Sequence, residues 1–297
     1  MEFFEGLQQI LGRDIGARGF VSAVRPAPLR ELAKTLATAK RVLLLTGFPV
    51  CCLDGTVCGE TDGPGGTANM AAAFLAAGCR VAVLTDEVNA PVVKAALCAR
   101  APSAELVCMP RTDAAAFARA LMETFCPTHL VSLERPGKAE DGHFHNMRGE
   151  IIDAMVQDTD LFLPLAKEAG AVTIAIGDGG NELGMGTYRR EIIASVPRGK
   201  EIAAVYPADI TLVSGVSNWW GWGVAALLSR NKGAMLLPSA AQEAELLRCV
   251  VAAGAVDGCT KKSELSVDAL PLSVHLALLE EIRALVDGAM APCAKGA

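Results

Sequence analysis

The sequence predicts an α/β fold, a doubly wound and mostly parallel sheet of Rossmann-like type with helices on both faces. Three observations carry this. Short, continuous apolar runs such as Val42–Leu45 read as strands buried on both faces. They alternate with helical segments from about residue 41 to 230, the pattern of βαβ crossovers. Four of them run straight into polar, glycine-bearing loops, and ligands in open α/β sheets bind beyond the carboxyl ends of parallel strands.

The elements follow in order. Residues 1–40 read as an amphipathic helical lead-in, with Leu29–Ala39 at helical spacing. Arg41–Leu45 is a strand that opens onto Thr46-Gly47-Phe48-Pro49. The loop Cys51–Gly66 leads to Thr67, read as the N-cap of a buried helix Ala68–Ala77 that Gly78 stops. Arg80–Leu84 and Glu105–Met109 are strands, each followed by a helix, Pro91–Ala99 and Asp113–Phe125. Strand Thr128–Leu133 precedes the longest polar stretch, residues 134–150. Helix Thr159–Ala169, strand Ala171–Ile176 and the loop Gly177–Gly186 follow. Residues 187–208 read as an irregular excursion before strand Asp209–Val213. Helices near Asn218–Ser229, Ala240–Ala253 and Leu272–Asp287 close the chain. No low-complexity linker interrupts this order, so residues 1–297 are expected to form a single domain.

Composition narrows the partners. The 297 residues are 52% hydrophobic, enough for a large core. The net charge is −6 and no basic stripe with interleaved aromatics appears, which argues against nucleic acid. No apolar run reaches the ~18–20 residues of a membrane span, and Met1–Glu5 does not begin a signal peptide. The ten cysteines lack a Cys-x-x-Cys pair and read as reduced thiols of a cytoplasmic protein, with a reactive thiol among Cys51, Cys52 and Cys58 as the alternative. The expected partner is a small molecule. The oligomeric state stays open, a homo-oligomer included.

The loops carry the candidate chemistry. Glu60–Thr67 enters a helix amino terminus, where free N–H groups and Gly65-Gly66 admit a ligand closely. Glu60 and Asp62 would repel a phosphate, so the segment is a site for a substrate carboxylate or a cation, or else a plain connector. Gly177-Asp178-Gly179-Gly180-Asn181-Glu182 places three glycines in four positions at a strand end, where side-chain packing is given up for backbone freedom. Its carboxylates and amide suit a hard cation or acid/base work, and a tight turn is the structural alternative. Glu134-Arg135 and Arg148-Gly149-Glu150 bracket the long loop, either gripping a carboxylate or pairing internally. His143 and His145 offer proton transfer, with zinc only weakly indicated by their spacing. Trp219, Trp220 and Trp222 form either a pocket wall or the core of a helix start.

Ser132–Gly137, Asp141-Gly142-His143, Asn146-Met147-Arg148-Gly149 and above all Gly177–Gly186 resemble the carboxy-terminal domain of the D-glutamate cyclase family. Thr61–Gly66, Ser217-Asn218-Trp219 and Gly254–Gly258 match as well, and the resemblance runs from about Val42 to the last helix. It implies a lyase, a hydro-lyase that closes D-glutamate to 5-oxo-D-proline. Members associated with that activity also carry a separate amino-terminal domain, for which this sequence has no room. Under the resemblance, Asp178 and Glu182 are the expected acid and base, with Glu134 beside them. Substrate would be bound by Thr46, Gly47, Asp62, Gly65, Gly66, Thr67, Arg135, His143, Asn146, Arg148, Gly179, Gly180, Asn181, Ser214, Asn218 and Trp219. A divalent cation, Mg²⁺ or Mn²⁺, would sit among Asp62, Glu134, Asp178 and Glu182. Two other classes stay open: a metal-dependent enzyme of another reaction type, and a non-catalytic module that binds an amino acid or a nucleotide.

Overall fold

The computed structural model describes residues 2–290. Its central sheet has six strands, all parallel: β1 Arg41–Thr46, β2 Arg80–Asp86, β3 Glu105–Met109, β4 His129–Leu133, β5 Val172–Gly177 and β6 Ile210–Val213. In this numbering their spatial order is 3-2-1-4-5-6. The order reverses between β1 and β4, and a crevice opens at such a switch point.

Alternation along β1 explains the two layers. Val42 and Leu44 face a core built with helices Phe3–Leu11, Leu29–Leu36, Pro64–Ala76, Trp219–Lys232 and Leu272–Met290. Leu43 and Leu45 face the other side, against Met122 and Phe125 of helix Ala114–Phe125 and Phe162 and Leu163 of helix Phe162–Glu168. Both faces are therefore apolar, which is why the strands read as unbroken hydrophobic runs. A third cluster beyond β5 and β6 packs Phe20 against Tyr188, Ile192 and Ile202. Residues 187–208 are thus more ordered than the sequence suggests: they hold helices Arg189–Ser195 and Gly199–Ile202, both one or two turns long. Pieces this short carry too little periodicity to be read.

The strand ends are level. Thr46 stands opposite Leu133, Leu133 opposite Ile176, and Gly177 opposite Val213. All the following loops therefore leave from one rim. Between β1 and the next helix the chain adds a small hairpin, Pro49–Cys51 paired with Val57–Gly59. The helix then begins at Pro64, not at Ala68, and Gly63 at φ 98° is its N-cap. Proline fits the first helical position, and the φ of residue 63 favours glycine. Thr67 lies inside the first turn, its N–H donating to the Gly63 carbonyl.

The long stretch after β4 is also ordered. Bridges join Lys138 with Phe144 and His145 with Ile151, and Phe144 packs with Phe48, Ile152 and Val156. At its end, buried Asp160 accepts from the Lys138 N–H at 3.0 Å, while its other oxygen has no partner. Burial, aided by Asp158, pushes its pKa up to about 7. A carboxyl raised in this way stabilises the fold fully below its unfolded pKa near 4 and loses that contribution as pH rises towards 7. Asp160→Asn should therefore melt above wild type at pH 8, by an amount on the order of 3–4 kcal/mol at most, and show no advantage near pH 4. Thermal melts across pH 4–8 test this, and a pH-independent difference would refute it.

Candidate active site

Three carboxylates from three segments meet at the sheet rim. Asp62 precedes helix Pro64–Ala76, Glu134 follows β4 and Asp178 follows β5. All three are buried, and each offers an oxygen within 4.8 Å of the others. Glu134 has φ 46°, a left-handed conformation rare outside glycine. It is held there from both sides: its N–H donates to the Ile176 carbonyl at 3.2 Å and its carbonyl accepts from Gly47 at 3.0 Å. Such strain persists only where the surroundings over-determine it, and here it bends the chain at the switch point.

Ser217 ties the three together. Its N–H lies 3.1 Å from Asp62 Oδ2 and 3.2 Å from Asp178 Oδ2, and its hydroxyl donates to Glu134 Oε2 at 2.5 Å. Two helix amino termini are also aimed at this point, and they cap each other. Asp62 Oδ1 accepts from the Asn218 N–H at 2.9 Å, at the start of helix Trp219–Lys232. Asn218 Oδ1 accepts in return from Gly63 and Gly66, at 3.0 and 2.6 Å, at the start of helix Pro64–Ala76. The helices touch backbone to backbone, since a Cβ on Gly221 would stand 2.4 Å from the Gly66 carbonyl oxygen. N–H groups that have no partner within their own helices, and the positive ends of two dipoles, favour negative charge here.

Those donors do not balance the charge. Glu60, Asp268 and Glu182 also act on the triad, so six carboxylates crowd this part of the rim. Burial first, then Asp268, pushes the Asp62 pKa up to about 8. Burial followed by the neighbouring acids holds Glu134 and Glu60 well above the ordinary carboxylate range. Burial raises Asp178 too, although Arg18 opposes the shift. Arg18 pairs with Asp178 and, at 2.6 Å, with Asp268. Proton-holding carboxyls of this kind suit acid/base chemistry, and three converging carboxylate oxygens could hold a metal ion.

The expected site residues separate into two sets. Asp62, Glu134, Asp178 and Asn218 converge as described. Thr46 is buried near them, its Oγ1 without a partner and 3.0 Å from where a Gly63 Cβ would lie. Gly65 abuts the Asn218 amide. Glu182, expected beside Asp178 as acid, base or metal ligand, is turned inward. Its Oε1 accepts from the N–H groups of Asp178 and Gly179 at 2.8 and 2.6 Å, and its Oε2 from Gly180 at 2.6 Å. It folds the glycine loop, which leaves the Gly179 and Gly180 N–H groups no freedom to polarise a substrate. Residues 181–185 form bridges to Pro136 and Pro207, not a helix start.

Arg135, expected to grip a carboxylate, is fully buried and bonded to Asp86 at 2.6 Å and to Thr159, Gly47 and Gln157. Arg148 is exposed, and Asn146 bonds within its own turn to Glu150. His143 is exposed and paired with Asp153, while His145 is buried against Asp141. Asn181 donates to the His145 carbonyl at 2.8 Å and so fixes the long loop onto the glycine loop. Ser214 donates to Val216, and Trp219 donates to His275 at 3.0 Å within the core. All three tryptophans pack in the core, and Trp222 also lines a small cavity with Asn218, Glu243 and His275. Burial and the adjacent Cys52 push Cys58 up to about 12, so it stays a thiol at neutral pH. Arg18 and Asp268 were not expected, and Glu60 and Ser217 were noted only within their segments, not as groups of the site.

The family model described as D-glutamate cyclase-like, C-terminal, matches residues 7–283. The chain belongs to this family. Every residue of the rim described above, Arg18 and Asp268 included, lies within the matched span. The chain is also similar to human "D-glutamate cyclase, mitochondrial", at 30% identity over 95% of this chain and 51% of that protein. It thus spans about half the length of this D-glutamate cyclase-family relative. No helix among the described residues is long and apolar enough to cross a membrane.

Proposed function

We propose that this protein is a lyase of D-glutamate cyclase type, which closes D-glutamate to 5-oxo-D-proline with loss of water. The reading rests above all on the buried convergence of Asp62, Glu134 and Asp178 at the switch point, and the family supports it. In the reaction the α-nitrogen forms a bond to the γ-carboxyl carbon, a C–O bond breaks, and water leaves. In all, the α-ammonium must lose two protons and the departing oxygen must gain two before it leaves as water. Asp178 would take the first from the ammonium, since its raised proton affinity is tempered by Arg18, and would pass on the second as the lactam forms. Glu134, kept protonated by burial and oriented by Ser217, would give the departing oxygen the proton with which it leaves as water. Acid/base help of this kind is worth about 10²–10⁴-fold.

In a second form of the site the triad would hold one divalent cation, Mg²⁺ or Mn²⁺, through oxygens of Asp62, Glu134 and Asp178, with Glu134 then deprotonated and no longer the acid. Such an ion would supply polarisation of a carboxylate oxygen, which makes an otherwise poor electrophile reactive. The substrate is expected to be a small amino acid bound without nucleic acid or membrane.

Incubation with D- and L-glutamate, followed by chiral detection of 5-oxoproline, tests the reading. The expected product is the D-enantiomer from D-glutamate alone. Chelator should lower turnover at least tenfold and added Mn²⁺ or Mg²⁺ should restore it. Formation of no 5-oxoproline from either enantiomer, with and without added cation, would overturn the proposal. Undiminished turnover in chelator would leave the carboxyl groups alone to do the chemistry.

A further inference from the structure

A dicarboxylate cannot approach a cluster of six acids unless positive charge receives it. The arginines that bracket the long loop do not provide it, because Arg135 is fully buried with all three guanidinium nitrogens bonded to the protein and Arg148 is exposed. Arg18 is differently placed. It sits on the segment that follows the first helix, 160 positions from Asp178, yet its guanidinium lies between Asp178 and Asp268. Its backbone is fixed, since Asp14 accepts from the N–H groups of Arg18 and Gly19 at 2.9 and 2.7 Å. The side chain is 23% exposed, against 1% for Asp178 and 7% for Asp268. It therefore forms the boundary between the buried acids and solvent. Nη1 bonds Asp178, Nη2 bonds Asp268 and also donates to Cys259 Sγ at 3.6 Å, and Nε has no acceptor among the described residues. Lys261, the other cation near the cluster, acts on the Glu60 side.

We propose that Arg18 is the anchor for a carboxylate of the ligand, presenting the free edge of its guanidinium to the incoming molecule while Asp178 and Asp268 hold it in place. The anchor is pre-oriented: both its backbone and two of its nitrogens are fixed before ligand arrives, so little side-chain entropy is lost on binding. The same contact puts the ligand beside Asp178, the residue that handles the proton. This inference rests on the carboxylate-substrate reading above.

Calorimetric titration of wild type, Arg18→Gln and Arg18→Lys with three probes tests it: D-glutamate, glutarate, and the diamide of D-glutamate, which has no carboxylate. Arg18→Gln should weaken D-glutamate and glutarate at least tenfold and leave the response to the diamide unchanged. Arg18→Lys keeps the charge between Asp178 and Asp268 but loses the fork. It should fold like wild type and still bind both carboxylates several-fold more weakly. If wild type binds glutarate and not D-glutamate, and Arg18→Gln loses that binding, the anchor stands while the cyclase reading falls. Carboxylate affinity within twofold of wild type in Arg18→Lys, or in a folded Arg18→Gln, would overturn the anchor and leave the cyclase reading intact. A wild type that binds no carboxylate would overturn both.

Discussion

Asp178→Asn should lower turnover about a hundredfold or more while the protein still folds. The substitution keeps the shape that accepts from Ser217 and removes the proton acceptor. It also removes a buried carboxylate whose charged form the pocket disfavours, so the fold is not expected to lose much. The informative measurement is turnover and melting temperature side by side. Retained turnover would take Asp178 out of the mechanism, and loss of folding would make it a structural residue.

Glu182→Ala should do the opposite. Three backbone N–H groups, those of Asp178, Gly179 and Gly180, converge on this one buried carboxylate. Deleting it leaves all three without an acceptor, at about 1–3 kcal/mol each, or roughly 3–6 kcal/mol after partial relaxation. For a chain of this size that lowers the melting temperature by about 5–10 °C. Activity should fall in step with the folded fraction. A variant that melts like wild type but is inactive would restore Glu182 to the chemistry.

The contrast between these two residues shows what the sequence could and could not convey. Spacing placed both carboxylates on one glycine loop, and that much was legible. Which of them faces the rim depends on the path of residues 179–181, and the three N–H groups that capture Glu182 leave no sequence signal. The six strands were legible because both faces are apolar, but their lateral order was not, since parallel crossovers of similar length fit several orders. The hairpin Pro49–Cys51/Val57–Gly59 was too short to show a period. Helix Pro64–Ala76 was read four residues late because its cap comes from Asn218, 155 positions away. Glu60 was within reach, two positions before Asp62. Arg18 and Asp268 were not, because an arginine in a glycine-bearing segment and an aspartate in a short turn are ordinary until the fold brings them to Asp178.

Those separations bear on how the protein comes into being. Arg18 waits for Asp178, Asp62 for Ser217, and Glu134 for a hydroxyl 83 positions downstream. The central strand β1 likewise pairs with β4, whose residues lie far along the chain. No local stretch can build the rim, so the cluster around Asp178 is incomplete until Asp268 has been synthesised. In refolding from denaturant, secondary structure should return first and ligand binding last. Recovered activity then reports completion of the whole fold.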